Sequence, residues 1–297
     1  MTTPPDTFTH YTLHVNGIRM HYVRAGAGER LVLLLHGFPE FWYSWRYQIP
    51  ALSERFTVVA PDLRGYNETD KPGWGYEIDV LASDVVGLIR ELGYSRAIVA
   101  GHDWGGLIAW AAAIIYSHWI ERLIVLNAPH PARFAEEIRR NPRQILRSWY
   151  ILFFQLPLLP EALIRANHYA AIEQGLRSTT VRKNCFSDAD IRAFKTAIAR
   201  PGALTAALNY YRAAARQGLG WVPSGADLTV RVPTLIIWGE QDVALEKTLT
   251  YGTERFVPDL RVRYLPHCSH WVQQECPDEV NQAMLEFLAD LQPGPPD

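Results

Sequence analysis

Short, almost unbroken apolar runs punctuate the chain at Leu31–Leu35, Thr57–Ala60, Ala97–Ala100, Leu123–Leu126 and Thr234–Trp238, with a weaker one at Val262–Leu265. Runs of that length without polar alternation predict strands covered on both faces. Between them, helical spacing predicts helices at Ser44–Ser53, Ile78–Leu92, Trp104–Tyr116, Leu245–Arg255 and Asp278–Leu291. Strand and helix in alternation predict an α/β fold, a mostly parallel sheet wrapped by helices. Ahead of this series, Thr12–Val15 and Arg19–Val23 flank Asn16-Gly17, the signature of a two-residue hairpin.

The alternation stops after Asn127. From Pro129 to Ala226 the pattern predicts only helices, at Phe134–Arg140, Pro142–Phe154, Glu161–Glu173, Asp188–Ala199 and Leu204–Gln217. Pro129-His130-Pro131 and Gly218–Gly225 punctuate the two ends of this stretch. The expected organisation is therefore an α/β core in two parts, 1–128 and 227–297, interrupted by a helical cap at 129–226. A layer over the carboxyl ends of the strands covers the place where open α/β sheets bind ligands.

Composition narrows the reading further. The 297 residues are 48% hydrophobic and 20% charged, too apolar for a disordered chain. A net charge of −2 provides no global field for nucleic acid or an anionic membrane. The local exception is Arg133, Arg139, Arg140, Arg143 and Arg147, interleaved with Glu136 and Glu137 and expected on a solvated helix face. Cys185, Cys268 and Cys276 have no CxxC spacing and are expected as reduced thiols. Residues 1–10 lack the pattern of a signal peptide, the apolar runs are too short for a membrane span, and QPGPPD reads as a frayed tail. A cytoplasmic protein, monomer or homodimer, is expected. The 10 Trp, 14 Tyr and 11 Phe are more rings than charge and length explain, and some are expected to line an apolar ligand site.

The strongest chemical motif is Gly101-His102-Asp103-Trp104-Gly105-Gly106, placed after a buried strand and before an apolar helix. That context makes a nucleophile elbow, with Asp103 where an esterase carries serine. Serine attacking a saturated carbon leaves an ether that hydrolysis does not readily reverse. Aspartate leaves an ester, whose carbonyl is open to water, so alkyl transfer replaces acyl transfer. His36-Gly37-Phe38-Pro39, after the first run of the series, is expected to supply an oxyanion donor. The Phe38 and Trp104 backbone N–H groups form the expected pair, and His36 is expected to bond within its loop.

A general base belongs after the last strand, where His267-Cys268-Ser269-His270-Trp271 stands; His270 is the chosen base. No HExxH pattern or carboxylate cluster accompanies His267 and His270, so neither a metal nor a cofactor is expected. Most of His10, His14, His21, His118, His130 and His168, which lack a comparable context, are expected on the surface or in loops. Asp242, in Gly239-Glu240-Gln241-Asp242, is chosen over Glu240 to orient the base, while the alternative site after the preceding strand holds neutral Asn127. The order Asp103, Asp242, His270 is nucleophile, acid, base.

With His36-Gly37-Phe38-Pro39-Glu40, Gly239-Glu240-Gln241-Asp242 and Ser269-His270-Trp271 added to the elbow, the sequence resembles the α/β-hydrolase-fold epoxide hydrolases. The likeness runs over nearly the whole chain, including Trp42-Tyr43-Ser44-Trp45-Arg46 and Asn127-Ala128-Pro129-His130. It implies an enzyme that opens an epoxide with water to a vicinal diol. It also implies two cap tyrosines that donate hydrogen bonds to the epoxide oxygen, matched here by Tyr150 and Tyr211 rather than Tyr210. Phe38, Trp42, Trp104 and Phe153 are expected to bind substrate, with Phe154 and Leu158 as further wall candidates. The alternatives are a haloalkane dehalogenase with the same nucleophile, or a non-catalytic ligand-binding protein on a hydrolase scaffold. The first needs halide-binding N–H donors, and Phe38 has no donor side chain where many dehalogenases place Asn. The second is expected to lack a triad member, and none is missing.

Overall fold

A computed structural model describes residues 8–218 and 227–291. Its first strands, β1 (Thr9–Val15) and β2 (Ile18–Ala25), pair antiparallel about Asn16-Gly17. Both turn residues have positive φ, 46° and 77°, as such a tight turn requires. The α/β series follows as β3 (Leu31–Leu35), α1 (Gln48–Ser53), β4 (Thr57–Pro61), α2 (Ile78–Glu91), β5 (Ala97–His102), α3 (Trp104–Ile115) and β6 (Ile120–Leu126). Helices α4 (Pro131–Arg140), α5 (Pro142–Arg147), α6 (Trp149–Phe153), α7 (Leu159–Thr179), α8 (Asp188–Ala199) and α9 (Ala203–Gln217) come next. The chain returns to the sheet with β7 (Thr234–Gly239) and β8 (Leu260–Leu265), then ends in α10 (Val272–Glu275) and α11 (Pro277–Phe287).

The eight strands form one sheet in the order β1-β2-β4-β3-β5-β6-β7-β8, parallel from β4 onwards. Every residue of β3, β4, β5 and β7 is buried, which explains why these strands read as continuous apolar runs. The chain runs outwards from β3 to β4 on one side and from β5 to β8 on the other. The loops after β3 and β5 therefore flank the point where strand order reverses, the natural crevice of an open α/β sheet.

Several elements depart from the sequence pattern. The helix expected at Leu245–Arg255 is two 3-10 turns, Lys247–Thr250 and Thr253–Arg255, because Thr and Tyr are weak helix formers and Gly252 takes φ 77°. The expected Pro142–Phe154 helix breaks at Ser148, and Ser44–Ser53 divides into a 3-10 turn at Trp42–Trp45 and α1. Helix α7 outruns its expected bounds and is interrupted at 166–169, where Asn167, His168 and Tyr169 have positive φ.

Cys268 and Cys276, expected as thiols, are joined in a disulfide because the single turn of α10 between them keeps their Cα atoms 6.7 Å apart; Cys185 is free. His21 and His130 are buried rather than superficial: His21 pairs with Asp62 at 2.6 Å, and His130 caps α4. Burial pushes His130 down to about 4. Arg133 is also buried, paired with Glu136 and Glu137 of its own helix. Of the glycines expected to close the helical stretch, 219–225 lie outside the described residues, as do the tail and residues 1–7. Among the described residues no helix is long and apolar enough to cross a membrane.

The start of α3 lies very close to the sheet. A Cβ on Gly105 would stand 2.1 Å from the Leu35 carbonyl oxygen, and one on Gly101 would stand 2.2 Å from that of Gly105. These obstacles are backbone and cannot rotate away. Gly105→Ala should therefore destabilise the fold by about 2–3 kcal/mol, as overpacking does. The urea midpoint measures this; an unchanged midpoint would refute the close approach.

Candidate active site

The elbow places Asp103 between β5 and α3 at φ 52°, ψ −120°, a conformation L-residues rarely adopt. Its backbone is tied on both sides: Asp103 N–H donates to Leu126 O at 3.3 Å, and Leu107 N–H donates to Asp103 O at 3.0 Å. Of its carboxylate oxygens, Oδ1 accepts the Phe38 N–H at 2.8 Å. The second expected donor, the Trp104 N–H, makes no bond to this carboxylate among the described residues. Oδ2 faces His270 Nε2 at 3.5 Å.

Behind His270, Nδ1 lies 2.7 Å from Asp242 Oδ2. Asp242 is buried and accepts from the Ala244 and Leu245 N–H groups at Oδ1 and from Asn127 Nδ2, at 2.7 Å, at Oδ2. Asn127, passed over as a neutral residue, thus steadies the carboxylate chosen in its place; its own Oδ1 accepts from Gly239 N–H. Glu240 points elsewhere, to Lys247, and His267 pairs with Glu279 in a half-exposed position.

Electrostatics divide the groups by role. Burial opposes a charged imidazole at His270, but Asp242 and Asp103 outweigh it and hold its pKa well above the usual value. Burial likewise works to raise Asp242, and the His270 charge with the hydrogen bonds around it pulls the carboxyl lower instead. Burial and the negative charge of Asp103 push the Tyr150 and Tyr211 phenols well above their ordinary value, so both keep their protons.

A second buried pair lies beneath the base. His102 contacts Glu40 Oε2 through Nδ1 and the His270 carbonyl oxygen through Nε2, each at 2.8 Å. Burial would raise Glu40, yet the His102 charge and hydrogen bond bring it down to about 2. Glu40 also accepts from Gly37 N–H, Ser44 and Gln273, tying the Phe38 loop to the His270 loop. Neither Glu40 nor His102 stood out as functional in the sequence. His36 bonds within its loop to Gly37 O, but its Nε2 also accepts the N–H of Leu63, past the end of β4.

Two cavities, of about 100 Å³ and 210 Å³, meet at Asp103, Tyr150 and Tyr211, which line both. The first continues along Trp104, Leu107 and Phe134, the second along Phe38, Phe154, Ile172 and His270. Tyr150 comes from α6 and Tyr211 from α9. The adjacent Tyr210 also borders the first cavity, but its hydroxyl donates to Arg64 O at 2.7 Å. Trp42 and Phe153, expected as substrate contacts, line neither cavity. Trp42 is buried in the core against Phe8, His10 and Phe41, because its 3-10 turn faces the sheet. Phe153 packs on Trp149 and Phe154 at the outer side of α6, and Leu158 is exposed to solvent. The α7 wall residues Ile172, Leu176 and Thr179 carried no signal in the sequence beyond helical spacing.

A family profile described as the alpha/beta hydrolase fold matches residues 30–277. The chain is 41% identical over 296 residues to Epoxide hydrolase 4 of Homo sapiens, covering 96% of this chain and 80% of that protein. It is 42% identical over 280 residues to AB hydrolase superfamily protein YfhM of Bacillus subtilis (strain 168), covering 93% and 96%. Among solved structures it is similar to the Bacillus megaterium epoxide hydrolase in complex with an inhibitor. That similarity has 35% identity and a TM-score of 0.88, over 94% of this chain and all of the other.

Because two carboxylates support the His270 imidazolium, Asp103→Asn should lower its pKa by about one unit or more. An NMR titration of the ring reads the shift; an unmoved transition would mean that Asp103 does not share the proton. Folding binds this proton more tightly than the unfolded chain does. The associated stability is present below about pH 6.5 and is lost as pH rises through the folded value.

Proposed function

This chain belongs to the α/β-hydrolase-fold epoxide hydrolase family, and on that premise we propose that it opens epoxides with water to vicinal diols through an ester on Asp103. The observation that carries the reading is the meeting of the two cavities. There a carboxylate faces two phenols that stay protonated, with an imidazole–carboxylate pair beside it.

In the first step Asp103 Oδ2 attacks an epoxide carbon while Oδ1 stays on the Phe38 N–H. The carbon–oxygen ring bond breaks, and its electron pair goes to oxygen. Tyr150 and Tyr211 hydrogen-bond that oxygen and one delivers a proton, so no free alkoxide has to leave. Apolar cavity walls strengthen these bonds by excluding water. Residues 129–226 act as the cap that brings the phenols to the carboxylate.

In the second step His270 Nε2 takes a proton from water, whose oxygen adds to the Asp103 carbonyl carbon. The resulting oxyanion is held by the Phe38 N–H and, once formed, by that of Trp104. Collapse expels the diol oxygen, which the imidazolium protonates, and leaves Asp103 as the carboxylic acid; its proton returns to the tyrosinate formed in the first step, restoring carboxylate and phenol. Ester formation has meanwhile removed the Asp103 charge. His270 thereby loses part of the support for its proton at the step where it must accept one, while Asp242 keeps the ring oriented. The dehalogenase alternative is disfavoured because hydroxyls, not paired N–H donors, face the carboxylate.

Blocking only the second step tests the covalent route. His270→Gln mixed with styrene oxide should gain the mass of the epoxide on the peptide carrying Asp103. Turnover by the wild type with no adduct in the variant would overturn the ester. Tyr150→Phe combined with Tyr211→Phe should slow ring opening by about 10³-fold, each single variant less. Stopped-flow quenching of tryptophan fluorescence follows that step, and a double variant at the wild-type rate would remove the phenols from the mechanism.

A further inference from the structure

Beyond the reaction itself, the segment that carries Tyr150 has a second face. From Ile138 to Ile172 the chain holds Arg139, Arg140, Arg143, Arg147 and Arg165 against one acidic residue, Glu161, although the whole chain has a net charge of −2. Glu161 is buried and neutralised by Arg212 at 2.8 Å. Arg147 turns inwards to the Asp242 carbonyl at 2.8 Å. Arg139, Arg140 and Arg143 are exposed and form no ion pair among the described residues.

Large apolar side chains share this stretch and point into solvent. Leu146 is 74% exposed, Trp149 62%, Leu152 70%, Leu158 79% and Leu163 53%. Ile145 and Leu146 end α5, and Trp149 and Leu152 lie on α6 just past the break at Ser148. The intervening Tyr150 and Ile151 face the cavity instead. The wall of the site is thus one helix thick, apolar on both sides, and rimmed with unpaired arginines. Clustered exposed apolar side chains of this kind mark an interaction surface.

We propose that this face docks reversibly on an anionic lipid surface. Trp149 and the leucines enter the boundary between headgroups and acyl chains, and Arg139, Arg140 and Arg143 meet the lipid phosphates and carboxylates. Charge selects this occupant over a second copy of the chain. A second copy docked through the same stretch brings Arg139, Arg140 and Arg143 no acidic partner, because its one carboxylate, Glu161, is buried against Arg212, whereas an anionic bilayer attracts all three. The link to catalysis rests on the epoxide reading above: apolar epoxides partition into lipid, and the docked face is the outer side of the cavity wall.

Cosedimentation of the full chain with phosphatidylcholine vesicles containing about one third phosphatidylserine tests the docking. The wild type should pellet with these vesicles, much less with phosphatidylcholine alone, and less again at high salt. Leu146→Glu with Leu152→Glu, and separately Arg139→Ser with Arg140→Ser and Arg143→Ser, should each weaken binding about tenfold or more. Both variants should still convert a water-soluble epoxide at the wild-type rate, which shows that they fold. A wild type left in the supernatant, or variants that pellet like it, would overturn the proposal. So would a concentration-dependent dimer on gel filtration that Leu146→Glu with Leu152→Glu dissociates, since that assigns the face to a second copy. Pelleting without any diol formation would leave the docking standing and overturn the epoxide reading instead.

Discussion

Everything in this site depends on one backbone conformation. Asp103 stands at positive φ on a turn so sharp that β5 and α3 almost touch, a geometry that costs on the order of 1–3 kcal/mol for an L-residue. The core offsets that cost by leaving the turn no alternative. Bare Cα positions at Gly101 and Gly105 let the backbones meet, and the hydrogen bonds of Asp103 to Leu126 and Leu107 close the turn from both sides. A relaxed turn would swing the carboxylate away from the Phe38 N–H and from His270 together.

The charges around that carboxylate form an alternating series: Asp103, His270 and Asp242, with His102 and Glu40 directly beneath. Almost every member is buried, and an unpaired charge at such depth would be strongly unfavourable. Each charge persists because the next has the opposite sign and a fixed hydrogen bond. In the proposed reaction, removing the charge of Asp103 by ester formation has a local effect, easing the proton off His270. Asp242, anchored by two backbone N–H groups and Asn127, is insulated from the change. The Glu40 carboxylate couples the loops of Phe38 and His270, so donor and base keep their spacing.

The helices between β6 and β7 bring Tyr150 and Tyr211 to the cavities that Asp103 lines. Tyr210 and Tyr211 are sequence neighbours on α9, yet one hydroxyl is consumed by the Arg64 carbonyl while the other faces the junction of the cavities. Rotation by a single helical position separates a structural phenol from one available to substrate. On α6 the same periodicity alternates cavity-facing Tyr150 and Ile151 with outward-facing Trp149 and Leu152.

Read alone, the chain determined the sheet, because strands buried on both faces must be apolar throughout, and Leu31–Leu35 or Ala97–Ala100 admit little else. It also determined the sharp turn at Asp103 and the helical stretch that follows β6, and it singled out Asp103, Asp242 and His270, which the fold brings together, since each has a local signature in spacing or glycine placement. The Tyr150 and Tyr211 pair came only through family resemblance, as no local pattern distinguishes a cavity-facing tyrosine from a packed one. Tertiary structure alone decided that Asn127 supports Asp242 and that Glu40 and His102 underlie the base. It also decided that Trp42 belongs to the core, and that Cys268 and Cys276 meet. Those contacts join residues from separate elements, or depend on which way a turn brings the chain back. Local patterning reports which face of an element is covered, but it carries no information about what covers it.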